Sequence, residues 1–120
     1  MKSYTNLEQS KKLAEILPRK SADMYWMHVE NKELEKDFWK VETIQLTWKP
    51  FSMHIPCWSL AALLAILDYP QLSKDKLGSG KEGWMVSVYP DNCRFDSCWH
   101  DNPIDACVEM IIKLKEDNLL

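Results

Sequence analysis

Glycine is scarce in this chain: three in 120 residues, all between Lys76 and Gly83. That excludes a collagen-like repeat. Long apolar runs are missing too. The longest, residues 60–67, is far too short to span a bilayer, so no membrane association is expected. The opening stretch Met1-Lys2-Ser3-Tyr4-Thr5-Asn6 has no apolar core of the kind a secretory signal needs, so a cytoplasmic location is expected. Neither sign of charge dominates. Fifteen Lys and Arg stand against eighteen Asp and Glu, a net charge of −3, which argues against a nucleic-acid binder held by phosphate contacts. There is no His-Glu-x-x-His, no Gly-x-Ser-x-Gly, no pair of carboxylates at catalytic spacing, no internal repeat and no low-complexity tract. No cofactor is implied, and an enzyme is the less favoured reading.

What is present is enough for one domain. At 14.1 kDa, area scaling gives about 6,700 Å² of folded surface against about 20,400 Å² unfolded. Roughly two thirds of the surface is then buried, sufficient for one core without staples. Hydrophobic residues make up 46% and charged residues 28%, the balance of a globular chain rather than a disordered one. Charge is uneven along the chain. Residues 1–20 hold five basic and two acidic side chains, and residues 101–120 hold two and five. The basic residues are spread around a predicted helix, the pattern of a solvated face. Four cysteines without a signal segment point to reduced thiols, not a disulfide frame.

Periodicity predicts an α+β fold: a small antiparallel sheet of three to four strands packed by three helices. Thr5-Asn6-Leu7-Glu8 has the form of a capping box and opens a helix over about residues 6–17, closed by Pro18. Residues 23–29 are rich in aromatic and sulfur-bearing side chains and suit a strand, and residues 31–37 suit a loop or short exposed helix. Residues 43–49 alternate as a half-buried strand does, up to Pro50. Residues 55–67 are the most apolar segment. Pro56 fits a helical first turn, and the helix should be central and covered on most faces. The glycine stretch reads as a hairpin loop. Residues 84–89 and 94–99 flank the turn Pro90-Asp91-Asn92 as two strands. The last helix is the best marked: Asn102 caps it, Pro103 takes its first position, Asp105 complements its dipole, and Ile104, Cys107, Ile111 and Leu114 form one stripe.

Four segments taken together carry a resemblance: Glu8-Gln9-Ser10-Lys11-Lys12-Leu13, Ser21-Ala22-Asp23-Met24-Tyr25, Ile55-Pro56-Cys57-Trp58-Ser59-Leu60 and Trp99-His100-Asp101-Asn102-Pro103-Ile104-Asp105-Ala106. The chain resembles a group of small uncharacterised proteins of Bacteroides-type gut bacteria, often met near phage and mobile elements. The resemblance covers about half the chain, both ends and the middle. It implies a bacterial cytoplasmic setting and assigns no role to any residue.

Four constellations have residue types that could carry chemistry or binding. In His54-x-x-Cys57-Trp58, a thiol at a helix N-terminus beside an imidazole would supply a nucleophile and a base, with Asp23 or Asp101 to orient the base. The bland alternative is a buried cysteine under Trp58. Cys93, Cys98, His100 and Cys107 are the residue types of a structural zinc site, but their spacing does not match the familiar knuckles, and Cys107 belongs to an apolar stripe. Gly78-Ser79-Gly80-Lys81 is like a phosphate loop, yet Asp75 stands where the first glycine belongs and Glu82 replaces the metal-binding hydroxyl. Six tryptophans form the fourth. Trp48, Trp58 and Trp84 lie in apolar segments and are expected in the core. Trp26, Trp39 and Trp99 have polar neighbours, and with His100 and Asp101 they are the expected binding residues. Exposed aromatics are common interface anchors, so the favoured function is a non-enzymatic interaction protein, a homodimer or an accessory factor for a protein partner. A cysteine-dependent enzyme or zinc-stapled module is the alternative.

Overall fold

Asn6, not Thr5, starts the first helix. In the computed structural model, which describes residues 2–31, 36–43 and 54–120, α1 spans Leu7–Ala14. The Asn6 side chain accepts from the Gln9 amide, and Gln9 Oε1 accepts from the Asn6 amide, so the capping box lies one residue later than the sequence suggests. Thr5 is drawn inward instead. It is fully buried, its amide donates to Trp58 O at 3.0 Å, and its hydroxyl accepts from the Trp58 amide. The buried face of α1, Ser10, Leu13 and, one turn beyond it, Leu17, turns toward the core.

The expected α+β architecture is present; among the described residues it has six strands rather than three to four, divided between two three-stranded antiparallel sheets, with three α-helices around them. The first sheet has the order β2-β1-β3. β1, Met24–Asn31, pairs along its whole length with β2, Lys36–Thr43, from Met24 opposite Thr43 to Asn31 opposite Lys36. β3, Ile55–Cys57, lies on the other side, with Tyr25 opposite Pro56. Pro56 thus sits in an edge strand rather than opening a helix. A residue without an amide hydrogen is tolerated there because one side of the strand needs no ladder bond. Of the expected loop at 31–37, residues 31 and 36–37 belong to strands. The strand expected over 43–49 lies outside the described residues beyond Thr43, as does Trp48.

Helix α2, Leu60–Ile66, begins after Ser59, whose hydroxyl accepts from the Ala62 amide. It is shorter than expected and not enclosed: Leu63 is fully buried, while Ala61 and Ala65 face solvent. The second sheet has the order β4-β5-β6: Gln71–Lys76, Glu82–Val88 and Phe95–Asp96. Its first hairpin turns at Gly78-Ser79-Gly80, with Leu77 and Lys81 closing the loop and Gly80 in the left-handed region at φ +84. This is the three-residue loop that asks for glycine at its last position. Trp84 is half-buried rather than core, with Lys74 Nζ 5.0 Å from its ring centroid.

Helix α3, Pro103–Glu116, packs against β5, α2 and α1. Asn102 caps it by accepting from the Asp105 amide at 2.9 Å, as the sequence predicts. Ile104, Cys107, Met110 and Ile111 are fully buried and meet Trp58, Leu63 and Val86 in one core. Its far end closes through Leu119 N to Leu114 O and Asn118 N to Lys115 O, with Asn118 at φ 55. That is a Schellman motif, and it folds Leu119 back onto the helix. Among the described residues no helix is long and apolar enough to cross a membrane.

Candidate functional site

The sequence-derived residues go to separate places. His54 and Cys57 lie three apart in an extended segment, so their side chains leave opposite faces. His54 stacks on Tyr25 with ring centroids 4.9 Å apart. Burial, aided by the positive charge of Arg19, lowers its pKa. Cys57 is fully buried against Thr5, which donates to its sulfur from the hydroxyl and accepts from it at the carbonyl, both at 3.5 Å. Burial pushes this thiol up, and the hydrogen bonds from Thr5 and Ser10 offset that only in part. Asp23, the suggested orienter, instead accepts from the Ser59 amide and hydroxyl at the start of α2. The arrangement holds a neutral thiol in the core and no nucleophile–base contact.

Cys107 is likewise fully buried, and burial pushes its thiol up to about 12. Cys93 and Cys98 are exposed. Among the described residues no three His, Cys, Asp or Glu side chains converge as metal ligands. His100 and Cys98 do meet at one point, the Glu109 carboxylate on α3. Cys98 N donates to Glu109 Oε2 at 2.8 Å, and His100 Nε2 lies 2.9 Å from Oε1. Burial alone would raise the Glu109 pKa, but the Cys98 amide, His100 and the Cys98 thiol outweigh it and hold the carboxyl below its usual range. One turn earlier Asp105 accepts from Lys2 Nζ at 2.8 Å, Gln9 Nε2 at 2.7 Å and Asn102 Nδ2 at 2.9 Å. Gln9, Cys98, His100, Asp105 and Glu109 line a shallow groove of about 650 Å³. Both carboxylates are spent on tying the chain terminus and the segment before α3 to that helix, so the groove reads as bracing.

Of the aromatic residues, Trp26 is half-buried, gives its indole N–H to Ser10 Oγ at 3.1 Å and meets Tyr4 edge-on. Trp39 is 37% exposed, tilted against His28 on the same face of the β1–β2 hairpin. Trp99 is 39% exposed beside the exposed Asp101, on the segment entering α3. The sequence does not single out the most exposed aromatic among the described residues, Tyr69, which is 92% exposed. It sits between α2 and β4 with φ 47, a left-handed conformation that tyrosine adopts at a cost of roughly 1–2 kcal/mol.

Tyr69 stands at a mouth where the ends of α2, β5 and α3 meet, a concavity of about 380 Å³. Leu67, Val88 and Leu114 form its buried floor. Tyr89, Pro90 and Asp91 border it on one side, and Leu119 and Leu120 on another. Tyr89 and Leu120 are exposed large side chains. Every non-glycine residue with positive φ among the described residues lies in or next to this rim: Tyr69, Asp91, Asn92 and Asn118. Asn118 is explained by the helix cap. Asp91 and Asn92 are the central residues of a turn closed by Cys93 N to Pro90 O at 3.0 Å, where Asp and Asn take positive φ readily. Tyr69 has no such reason, and backbone held off its preferred basins collects at binding sites. The available signal was Asp68-Tyr69-Pro70, an aromatic directly after a helix end and before a proline. No family model, no curated protein and no solved structure matches this chain.

Proposed function

We propose that the chain is a small non-enzymatic interaction protein that engages a protein partner through exposed aromatic side chains, with the mouth beside Tyr69 as the principal contact. The observation that carries this reading is a tyrosine 92% exposed on a left-handed backbone, beside Tyr89 and Leu120 over an apolar floor. A ring in water contributes almost no burial to the fold, and the backbone beneath it is unfavourable. A partner that covers the ring supplies the missing burial, and this offsets the backbone cost. Tyrosine suits that role because it offers a large contact area with few rotatable bonds, and a central aromatic surrounded by apolar contacts is the usual anchor of an interface. Trp39 and Trp99 add area elsewhere on the surface. The bracing of Asp105 and Glu109, and the buried thiols, favour a rigid scaffold over a reaction centre.

Selection of a displayed random peptide library on the immobilised chain tests the reading. Enriched peptides should lose binding to Tyr69→Ser and Tyr89→Ser variants but keep it to Trp26→Phe. If no sequence enriches and light scattering shows a strict monomer, the reading fails. Enrichment indifferent to Tyr69 and Tyr89 would move the contact away from the mouth.

A further inference from the structure

Resting on that reading, we propose that the mouth takes a cationic side chain, arginine or lysine, from an extended segment of the partner. Its charged lining residues are Asp68 and Asp91, and none of its lining residues is basic. The carboxylates that brace the fold are occupied: Asp23 by Ser59, Asp96 by Arg94 and Ser87, Asp105 by Lys2 and Gln9, Glu109 by His100. Asp68 and Asp91 are the carboxylates that line the mouth. Among the described residues neither accepts a hydrogen bond or joins an ion pair, and both are exposed. Two unpaired carboxylates thus flank an apolar floor and two tyrosine rings.

That combination matches one kind of side chain. The methylene stem of arginine or lysine lies on apolar surface while its charged head reaches for polar groups. A guanidinium or ammonium gains from an aromatic face and, more strongly, from a carboxylate. Leu67 and Leu114 would receive the stem, the Tyr69 and Tyr89 rings its sides, and Asp68 and Asp91 its head. An acidic segment would meet the two aspartates and be repelled. The volume of about 380 Å³ is at the lower end of the range for ligand pockets. It suits one long side chain with part of its neighbours, and Tyr69 projects far enough to touch the chain that carries it.

The test uses the whole ¹⁵N-labelled chain titrated with three synthetic peptides, acetyl-Gly-Leu-X-Leu-Gly-amide with X as Arg, Gln or Glu, and with N-acetylarginine amide. The arginine peptide should shift the amides of Tyr69, Tyr89 and Leu119 with a dissociation constant of order 0.1 mM, the glutamine peptide should bind about tenfold more weakly, and the glutamate peptide should not bind. Asp68→Asn with Asp91→Asn should weaken the arginine peptide about fivefold or more and leave the glutamine peptide unchanged. Because both aspartates are solvent-exposed, the variant's spectrum away from the mouth should superpose on the wild type, which verifies folding in the same measurement. Equal binding of the arginine and glutamine peptides at the mouth, or preference for glutamate, would overturn the cationic assignment and leave the interaction reading standing. Arginine-selective binding that survives the double substitution would also overturn it. N-acetylarginine amide binding as tightly as the peptide would replace a partner segment by a small cation. If no peptide shifts the mouth, both proposals fail.

Discussion

Replacing Asp105 by alanine should cost this protein about 3 kcal/mol, and the loss should be specific to neutral pH. Asp105 sits in the first turn of α3 and accepts from Lys2, Gln9 and Asn102. A hydrogen bond to a charged group is worth about 1.5–3 kcal/mol where water is excluded. Here 32% of the Asp105 side chain and 25% of the Lys2 side chain remain exposed, so the lysine bond falls to about 0.2–1 kcal/mol. The two amide bonds contribute about 1 kcal/mol each, and the carboxylate at a helix N-terminus adds about 0.5 kcal/mol. With about 2.1 cal/mol/K of unfolding entropy per residue over 120 residues, the melting temperature should drop by about 11–14 °C.

The pH dependence follows from direction alone. Burial pushes the Asp105 carboxyl up, but the hydrogen bonds from Lys2, Gln9 and Asn102 prevail and its pKa in the fold is lowered. A lowered folded pKa gives stability that is complete above the unfolded value of about 3.9 and is lost as pH falls through the folded value. Urea unfolding of wild type and Asp105→Ala between neutral and strongly acidic pH should therefore show a gap that closes in acid. A Lys2→Ala, Asp105→Ala double-mutant cycle should give a coupling of about 0.5 kcal/mol. A loss below about 0.5 kcal/mol at neutral pH, or a gap that persists undiminished in acid, would refute the bracing argument.

Thiol labelling should divide the cysteines in two. Cys93 and Cys98 react in the folded protein, while Cys57 and Cys107 wait for unfolding; with the Cys107 pKa pushed up to about 12, only about one thiol in 10⁴ is ionised at pH 8. Four labels at one rate, followed by mass spectrometry, would contradict the burial. In the first hairpin of the second sheet, Gly80→Ala should cost about 1 kcal/mol because of its positive φ, whereas Gly78→Ala, with open space around an added Cβ, should be neutral or slightly stabilising. Reversal of that order in chemical denaturation would mean a different loop. Asn118→Gly should preserve or raise stability, while Asn118→Val should lower it by about 1 kcal/mol or more, since a β-branched residue is poorly tolerated at φ 55. Equal melting temperatures for the two would argue against the Schellman closure of α3.

The parts of the fold legible in the sequence are those governed by neighbours. Asn102, Pro103 and Asp105 lie within four residues and specify a helix start by local hydrogen bonding, and the cap forms as read. The glycine cluster specifies a tight loop for the same reason. Local reading was off where two residues compete for one role. Thr5 and Asn6 both make good caps. The outcome was decided by Trp58 and Cys57, more than fifty positions away, which took the Thr5 hydroxyl for the core. Pro56 has the same character. A proline before an apolar run fits a helix start or an edge strand, and the strand form prevailed because β1 offered Tyr25 as a partner.

The candidate site was illegible for a stronger reason. Its floor joins Leu67, Val88 and Leu114, and its two carboxylates are twenty-three positions apart on unrelated turns. No periodicity relates residues contributed by the ends of a helix, a strand and another helix. Solvent-facing tryptophans were a sound place to look for anchors, but tryptophan is large enough to be recruited by the fold itself. Trp26 satisfies Ser10, Trp58 fills the core, and Trp84 lies under Lys74. The aromatics left at the mouth are tyrosines, Tyr69 after a helix end and Tyr89 beside Pro90, and both are exposed. Residue type alone therefore does not separate the aromatics that hold this protein together from those available to a partner, and at Tyr69 the left-handed backbone does.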